Sequence, residues 1–331
     1  MERMEIRLRR AAKKSNLLTL FLMIRYLTHN EIDKKKWDKT IQHAFNGNIY
    51  ACSWYLDIIH PYWNALVEDD YQQVMPLPIN EKWNIKYMLH PFFSQQLGVF
   101  SKTLLYPDKV TEFINAIPND VKYIEINFNS FNKIVKDSGI LIPHKNHLVD
   151  LINTYARTQK HYSTNLKRNL KKSVKANITL HKTTKPEEVV TLFRKNRGKQ
   201  VKQWNDHHYL RLQHLMYMSI HKGKGIIYGA YSERNTLLAG VFFLKSHNRL
   251  TFLFSGQSEE GKKVSAMAFI IDSVIRQFSP GNYTLDFEGS DNEGLARFYK
   301  SFGAVETLYY GLKINKLPFP LSALYKIKKL F

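Results

Sequence analysis

The sequence predicts an α/β fold of two units, each a mixed, mainly antiparallel sheet flanked by helices. Three observations lead there. The chain has 331 residues, about twice the ~150 residues of a common domain. Apolar residues make up 44% and aromatic residues 13%, enough for packed cores and too many for global disorder. Short β-branched and aromatic runs alternate with longer amphipathic stretches along the whole chain.

The first unit is expected over residues 23–150. Ile24–Leu27 reads as a strand. Asn30 then caps a helix over Glu31–Phe45, with Ile32, Trp37, Ile41 and Phe45 at mostly helical spacing. Residues 49–56, 65–68 and 71–77 are short, aromatic and β-branched and read as strands. Asp108–Ile117 reads as a helix stopped by Pro118, and Val121–Phe128 as the next strand.

The second unit is expected over residues 151–314. Residues 141–152 form a strand leading into it, and Tyr162–Lys175 a basic helix. Ile178–His181 is a strand. Pro186, with Glu187 and Glu188 behind it, opens a helix whose apolar face is Val189, Leu192 and Phe193. A further helix spans His207–His221. Gly225–Tyr231, Leu237–Lys245 and Arg249–Ser255 follow with short turns, which predicts an antiparallel meander. Helix Val264–Phe278, strand Tyr283–Phe287, helix Glu293–Phe302 and strand Val305–Ile314 complete an order that predicts parallel crossover pairing.

Charge is unevenly placed. The chain carries 49 Lys+Arg against 28 Asp+Glu, a net charge of +21. Residues 1–22 contribute +4, residues 23–150 contribute −1 and residues 151–331 contribute +18. Such an excess says nothing of fold but points to an anionic partner. The single Cys52 excludes an intramolecular disulfide and a multi-cysteine zinc site, and fits a reducing compartment, expected to be the cytoplasm. Residues 1–22 read as a basic leader, non-native or loosely ordered, without a cleavage site for a signal peptide. No apolar run reaches the ~20 residues needed to span a bilayer. Residues 315–331 read as a basic amphipathic tail, with Leu321, Leu324, Tyr325 and Phe331 opposite Lys326, Lys328 and Lys329. A tail of this kind can lie on an anionic membrane, giving peripheral contact at the inner surface, or cap a sheet.

The element order of the second unit is that of the GNAT acyltransferases. The likeness sharpens at Asp286-Phe287-Glu288-Gly289-Ser290-Asp291-Asn292-Glu293-Gly294-Leu295-Ala296-Arg297-Phe298-Tyr299-Lys300-Ser301-Phe302-Gly303. This segment resembles the strand-to-helix passage of the Fem-type, FemABX-like branch, with its acidic-aromatic strand end and its Arg-Phe-Tyr-Lys helix ending in Phe-Gly. Ser163–Ser173 resembles the basic helix that opens that family's second domain. The first half matches more weakly, through Ser53–Asp57 and Pro91–Gly98. The resemblance implies two tandem GNAT-like domains, the first degenerate and the second active. Ordinary GNAT enzymes also space an Asn, a Tyr and a Gly as Asn292, Tyr299 and Gly303 are spaced here, and an interval of seven places Asn292 and Tyr299 on one helix face.

Acyl transfer to an amine requires deprotonation of the amine, polarisation of the carbonyl and protonation of the leaving group. Tyr299 is the candidate acid, the role the resemblance implies. Asp286 and Glu288 flank Phe287 on one expected strand and so share a face, where either could take the amine proton; the alternative is a structural pair holding Arg297 or Lys300. GNAT enzymes grip the donor pyrophosphate in a glycine-rich loop at a helix N-terminus. The corresponding stretch contains Gly256, Gly261, Lys262, Lys263, Val264 and Ser265, and Asn292 and Lys300 join it as donor-binding candidates. Its pattern departs from the usual one, and Glu259 and Glu260 oppose a phosphate. Lys167, Arg168, Lys171 and Lys172 form a basic stripe on one helix, a candidate site for a tRNA backbone or a lipid-linked pyrophosphate, or else a solvated face. In the first unit Trp54, Tyr55, Gln95 and Gln96 are the candidates for an acceptor cleft. His207, His214 and His221 recur every seven residues, too far apart along a helix to share a metal, so no metal site is expected.

The expectation is an acyltransferase with no tightly bound cofactor. Its donor would be aminoacyl-tRNA, with a peptidoglycan precursor as acceptor, or acetyl-CoA, with a small amine or amino sugar as acceptor. A non-catalytic nucleic-acid or membrane-surface binder on the same scaffold is the alternative of another class.

Overall fold

The computed structural model describes residues 23–135, 138–289 and 291–322. The expected leader and residues 323–331 of the expected tail lie outside the described residues, as does Ser290 of the motif. The fold is the mixed α/β type the sequence predicts. The chain falls into two compact units, the first within 1–142 and 310–331, the second at 143–309.

In the first unit, β1 (Ile24–Leu27) pairs antiparallel with β2 (Asn64–Glu68), which pairs with β3 (Gln73–Leu77), which pairs with the short β6 (Phe100–Ser101). A second sheet joins β4 (Ile79–Lys82) and β5 (Ile85–Leu89) as an antiparallel hairpin. β5 is parallel to β7 (Val121–Asn127), and β7 is antiparallel to Gly311–Asn315 at the end of β14 (Val305–Asn315). The helices are α1 (Lys34–His43), α2 (Ser53–Ile59) and α3 (Pro107–Asn115). Trp37 of α1 and Trp63 are fully buried, their rings 4.7 Å apart, and their indole N–H groups donate to Ala51 O at 2.7 Å and Asp57 Oδ1 at 2.9 Å.

Two local expectations change here. The first helix starts at Lys34 and is capped by Asp33, which accepts the Lys35 and Lys36 N–H groups at 3.0 and 3.1 Å, while Asn30 lies in the 3₁₀ turn His29–Glu31. The second concerns residues 49–56. Residues 49–56 are a short 3₁₀ turn, Ile49–Ala51, followed by α2, and not a strand. The reason is local hydrogen bonding. Asn48 Oδ1 accepts the Ala51 N–H at 3.2 Å, and Asp38 accepts both the N–H and the hydroxyl of Ser53, at 2.7 and 2.6 Å. Such caps outweigh the β-propensity of Ile49, Tyr50, Trp54 and Tyr55. The β4–β5 hairpin carries no Asn-Gly signal, because its tip is Trp83-Asn84, both at positive φ (53° and 58°).

In the second unit β10 (Gly225–Tyr231), β11 (Leu237–Ser246) and β12 (Arg249–Gln257) form the expected antiparallel meander, and β9 (Thr179–His181) adds antiparallel to β10. β12 is then parallel to β13 (Thr284–Asp286), and β13 antiparallel to β8 (Ile140–Asp150). The helices, in chain order, are α4 (Tyr155–Lys160), α5 (Thr164–Lys175), α6 (Pro186–Lys195), α7 (Asp206–His221), α8 (Glu259–Lys263), α9 (Ala266–Phe278) and α10 (Glu293–Lys300). Among the described residues each unit has a helix between the two strands of a parallel pair: α3 between β5 and β7, α9 between β12 and β13. The core gathers Tyr228, Val241, Phe243, Ile270, Ile271, Leu285, Phe287 and Phe302, all nearly inaccessible; each large apolar side chain so buried stabilises the fold by about 1.5–3 kcal/mol.

A pair of glycines sets one helix against this sheet. Gly240 of β11 faces Gly256 of β12 across the ladder. A Cβ on Gly256 would lie 2.6 Å from Val189 O and 2.8 Å from Phe193 N of α6, and one on Gly240 would lie 2.7 Å from Val189 Cγ2. Only glycine lets the helix backbone come this close.

Candidate functional site

The second unit contains a cleft of about 660 Å³, lined by parts of α5, α6 and its following turn, β12, α8, α9 and α10. Its cationic wall begins where α6 ends. Lys195, Arg197 and Lys199 line the cleft, the last two on the 3₁₀ turn Arg197–Gln200, and Lys262 joins them from α8. Aromatic rings support this turn from beneath. Phe193 lies 4.8 Å from Phe254 and 5.6 Å from Trp204, Trp204 lies 5.5 Å from Tyr209, and Arg194 stands over Tyr209 while pairing with Asp206 at 2.6 Å. The glycine pair and this cluster together fix the end of α6, so the cations are held on a rigid element.

The start of α9 provides a second positive feature. Ser265, at φ 60°, precedes α9 without making a side-chain cap, and Ser265, Met267 and Ala268 line the cleft. The first N–H groups of a helix favour anions through both their open hydrogen bonds and the helix dipole.

Tyr299 also lines the cleft, although its side chain is almost wholly buried. Its ring stacks on Phe287 at 4.5 Å and 14°, with Phe252 at 6.4 Å and His147 at 5.9 Å. Burial pushes its phenol up to about 12; the Glu288 carboxylate adds to the rise and Arg197 opposes it. The group therefore keeps its proton throughout the neutral range.

The two carboxylates part company. Asp286 is buried, pairs with Arg249 Nη1 at 2.6 Å and accepts the Glu288 N–H at 2.8 Å. Its partner is Arg249, and neither Arg297 nor Lys300. β13 ends at Asp286, and Glu288 lies beyond it at φ 55°. The alternation that would place both on one face therefore does not apply to Glu288. Of the two, Glu288 is the one whose charge acts on Tyr299.

The remaining candidates divide. Gly256, Lys262 and Ser265 line the cleft with Tyr299. Gly261 is buried beneath β11, where an added Cβ would meet Leu238 O at 2.2 Å, and its N–H donates to Ser258 Oγ at 2.9 Å. Val264 packs partly into the core, and Lys263 is exposed. Asn292 accepts the Leu295 N–H at 3.1 Å as the cap of α10, and Lys300 pairs with Glu306 at 2.7 Å. Lys167, Arg168, Lys171 and Lys172 are exposed on α5, and Asn169 of the same helix lines the cleft. In the first unit, the Tyr55 hydroxyl donates to Phe93 O at 2.5 Å, and Gln96 donates to Gln95 Oε1 at 2.8 Å and accepts the Ser130 N–H at 3.0 Å; Trp54 packs edge-on to Tyr55 at 5.4 Å. His207, His214 and His221 share an exposed face of α7. Among the described residues, no helix is long and apolar enough to cross a membrane.

Lys195, Arg197, Lys199 and Phe252 were not anticipated from sequence. A signal was present in Arg194-Lys195-Asn196-Arg197-Gly198-Lys199, but basic residues at a helix end are expected from the helix dipole alone.

Comparison with solved structures places this fold. FemX matches with a TM-score of 0.62 at 11% identity, over 91% of this chain and 99% of that one. The L-PGS of Bacillus licheniformis matches at 0.54 and 12% identity, over 90% and 96% of the two chains. The C-terminal domain of a putative lysylphosphatidylglycerol synthetase from Agrobacterium fabrum matches at 0.52 and 11%, over 89% and 95%. The expected resemblance to the Fem-type branch thus holds at the level of the fold. No family model and no curated protein matches the chain.

Proposed function

We propose that this protein is an acyltransferase that moves an acyl or aminoacyl group from an anionic, activated donor to an amine, and that the second-unit cleft is where the transfer occurs. One observation carries the reading: a phenol held protonated, Tyr299, lines the same cleft as Lys195, Arg197, Lys199 and Lys262. The cations hold the donor's phosphates. The amine attacks the acyl carbonyl and loses a proton towards Glu288. The departing oxygen or sulfur takes a proton from Tyr299. No protein nucleophile is needed for direct attack.

The basicity of the leaving group favours an aminoacyl ester as donor. A thiolate, whose thiol ionises near ~8.5, is too weak a base to draw a proton readily from a phenol at about 12. A ribose alkoxide is far more basic and matches it better. The exposed cations of α5, a helix that reaches the cleft through Asn169, suit the backbone of a tRNA. An amine of a peptidoglycan precursor is the acceptor that the Fem-type resemblance implies. One feature favours the second reading, acetyl-CoA: the uncapped start of α9 beside Lys262 suits a pyrophosphate.

Isothermal titration with bulk tRNA and with coenzyme A, each at two salt concentrations, separates these donors. Affinity for tRNA that falls steeply with salt supports the ester, salt-tolerant binding of coenzyme A supports the thioester, and binding of neither overturns the proposal. With the donor identified, Tyr299→Phe is expected to retain its affinity and lose on the order of 100-fold in turnover; full turnover would remove the phenol from the chemistry.

A further inference from the structure

The passage from β13 to α10 carries Glu288, which takes the amine proton in the proposed transfer, and its backbone is not one that a glutamate adopts unaided. Glu288 and Gly289 are both left-handed, at φ 55° and 67°. A residue with a side chain is strained there, and such strain persists only where contacts on either side hold it. The contacts run to β8 and to β13 itself. The Phe287 N–H donates to His147 O at 3.1 Å. The Glu288 N–H donates to Asp286 Oδ1 at 2.8 Å, and Arg249 fixes Asp286. Beyond Glu288 the hold is a side chain. Asp291 Oδ1 accepts the Lys145 N–H at 3.1 Å, and its Oδ2 lies 2.8 Å from His144 Nδ1. The next residue, Asn292, caps α10, the helix of Tyr299. The imidazole of His144 is itself oriented, because it stacks on Tyr309 at 5.2 Å and 26°. With the proton on Nδ1 it donates to Asp291, and a neutral ring makes that bond as a charged one does.

From this arrangement we infer that His144 is a positioning residue for the transfer: through Asp291 it holds Glu288 at the distance from Tyr299 at which one group takes a proton while the other gives one. The inference rests on the acyltransferase reading for the roles of those two groups. Each transfer leaves Glu288 protonated and Tyr299 ionised, so the same proximity lets the proton pass back and reset the site. Nothing in the cleft lining needs to change for the effect to be felt. A base displaced by about 1 Å still meets the same donor, held by the same cations, and reacts with it far more slowly.

Tyr299 reports the position of Glu288 without any donor. Burial raises its phenol most, the Glu288 carboxylate adds to the rise and Arg197 opposes it, among the rings of Phe287, Phe252, Phe298 and His147. Fluorine NMR of the full chain carrying fluorotyrosine, with the signal assigned by Tyr299→Phe, follows this ionisation; the fluorinated phenol ionises at lower pH, where the fold survives. Glu288→Gln should lower it. His144→Phe keeps a ring against Tyr309, removes Nδ1 and should lower it by most of the same amount. His144 is neutral at this alkaline pH, so its loss removes no charge and the shift reports Glu288. His144→Asn, whose amide stands in for Nδ1, should restore the wild-type ionisation, and Glu288→Gln combined with His144→Phe should shift no further than Glu288→Gln. His144→Leu repeats the measurement should the phenylalanine variant fail to fold. With the donor identified, His144→Phe should lose on the order of 10- to 100-fold in turnover with KM unchanged. An ionisation that Glu288→Gln or His144→Phe leaves unmoved, a double variant that shifts by the sum, or unaltered turnover overturns the inference while the acyltransferase reading stands. The expected shifts in a protein that binds neither tRNA nor coenzyme A overturn the reading and with it the role of His144, leaving the contact with Asp291 as a structural hold.

Discussion

The amides of Asn46, Asn129 and Asn132 in the first unit all donate to Val99 O, at 2.9, 3.3 and 3.0 Å, and all three residues are buried. The lysines and arginine of the second unit, Lys195, Arg197, Lys199 and Lys262, line an open cleft instead. Net charge follows the same division: −1 over residues 23–142 and +13 over residues 143–309. Two units with a similar strand and helix order therefore differ in what their polar groups face. In one they close on the protein's own carbonyls, which gives rigidity. In the other they face a space suited to an anion. Shared architecture does not make two sites; the groups left facing outward do.

Three experiments can break or sharpen that contrast. The largest effect is expected from Gly256→Val, which forces side-chain atoms into the α6 backbone and should destabilise the second unit by about 3 kcal/mol or more. Urea denaturation measures it, and a loss under ~1 kcal/mol would mean that α6 can lift from the sheet, so that the cationic wall is not rigid. Next, Lys195, Arg197, Lys199 and Lys262 changed together to Ala should weaken binding of tRNA on the order of 100-fold at low salt and reduce the salt slope by up to about one unit per lost contact. The same number of first-unit lysines, Lys35, Lys39, Lys82 and Lys122, changed to Ala should leave affinity nearly unaltered. Equal losses from the two sets would reduce the effect to overall charge.

The smallest effect concerns His147, which is fully buried, with neither ring nitrogen hydrogen-bonded among the described residues and Glu306 at 3.8 Å. Burial lowers its pKa, against a weaker opposing pull from Glu306, and Lys300 and Lys145 lower it further. The unfolded chain therefore accepts a proton that the folded chain refuses. The contribution of this group to stability is full above its unfolded value of about 6.5 and is lost as pH falls below it. Melting temperature should drop between pH 7 and pH 5, and His147→Leu should flatten that drop by the equivalent of about 1 kcal/mol. An unchanged slope would assign it to other groups.

Much of the second unit was legible because its pattern is redundant. Strand alternation, the Pro186 helix start and the Arg297–Gly303 helix each point to the same order. The site was less so. Gly256 and Gly261 are read from sequence as glycines of a donor-binding loop, yet the atoms that a side chain there would meet are Val189 O and Leu238 O of the protein itself. Glycine spacing reports that something comes near, and cannot say what. Asp286 reads as a possible base from its strand-end position, and only tertiary structure shows Arg249 against it. In the first unit, Asp38 folds 49–59 into helix from fifteen residues away, beyond the reach of any local pattern.

The pairing of Gly311–Asn315 with Tyr123–Asn127 has a consequence for the order in which the protein is made. The strand that completes a first-unit sheet is synthesised after the whole of residues 143–309. At ribosomal speeds that interval lasts roughly 10–30 s. During it, β7 has emerged with one edge unpaired, and an unpaired edge invites other strands. The nascent chain is most exposed to misassembly in this window, and a chaperone acting on it would engage the first unit while the second is already folding.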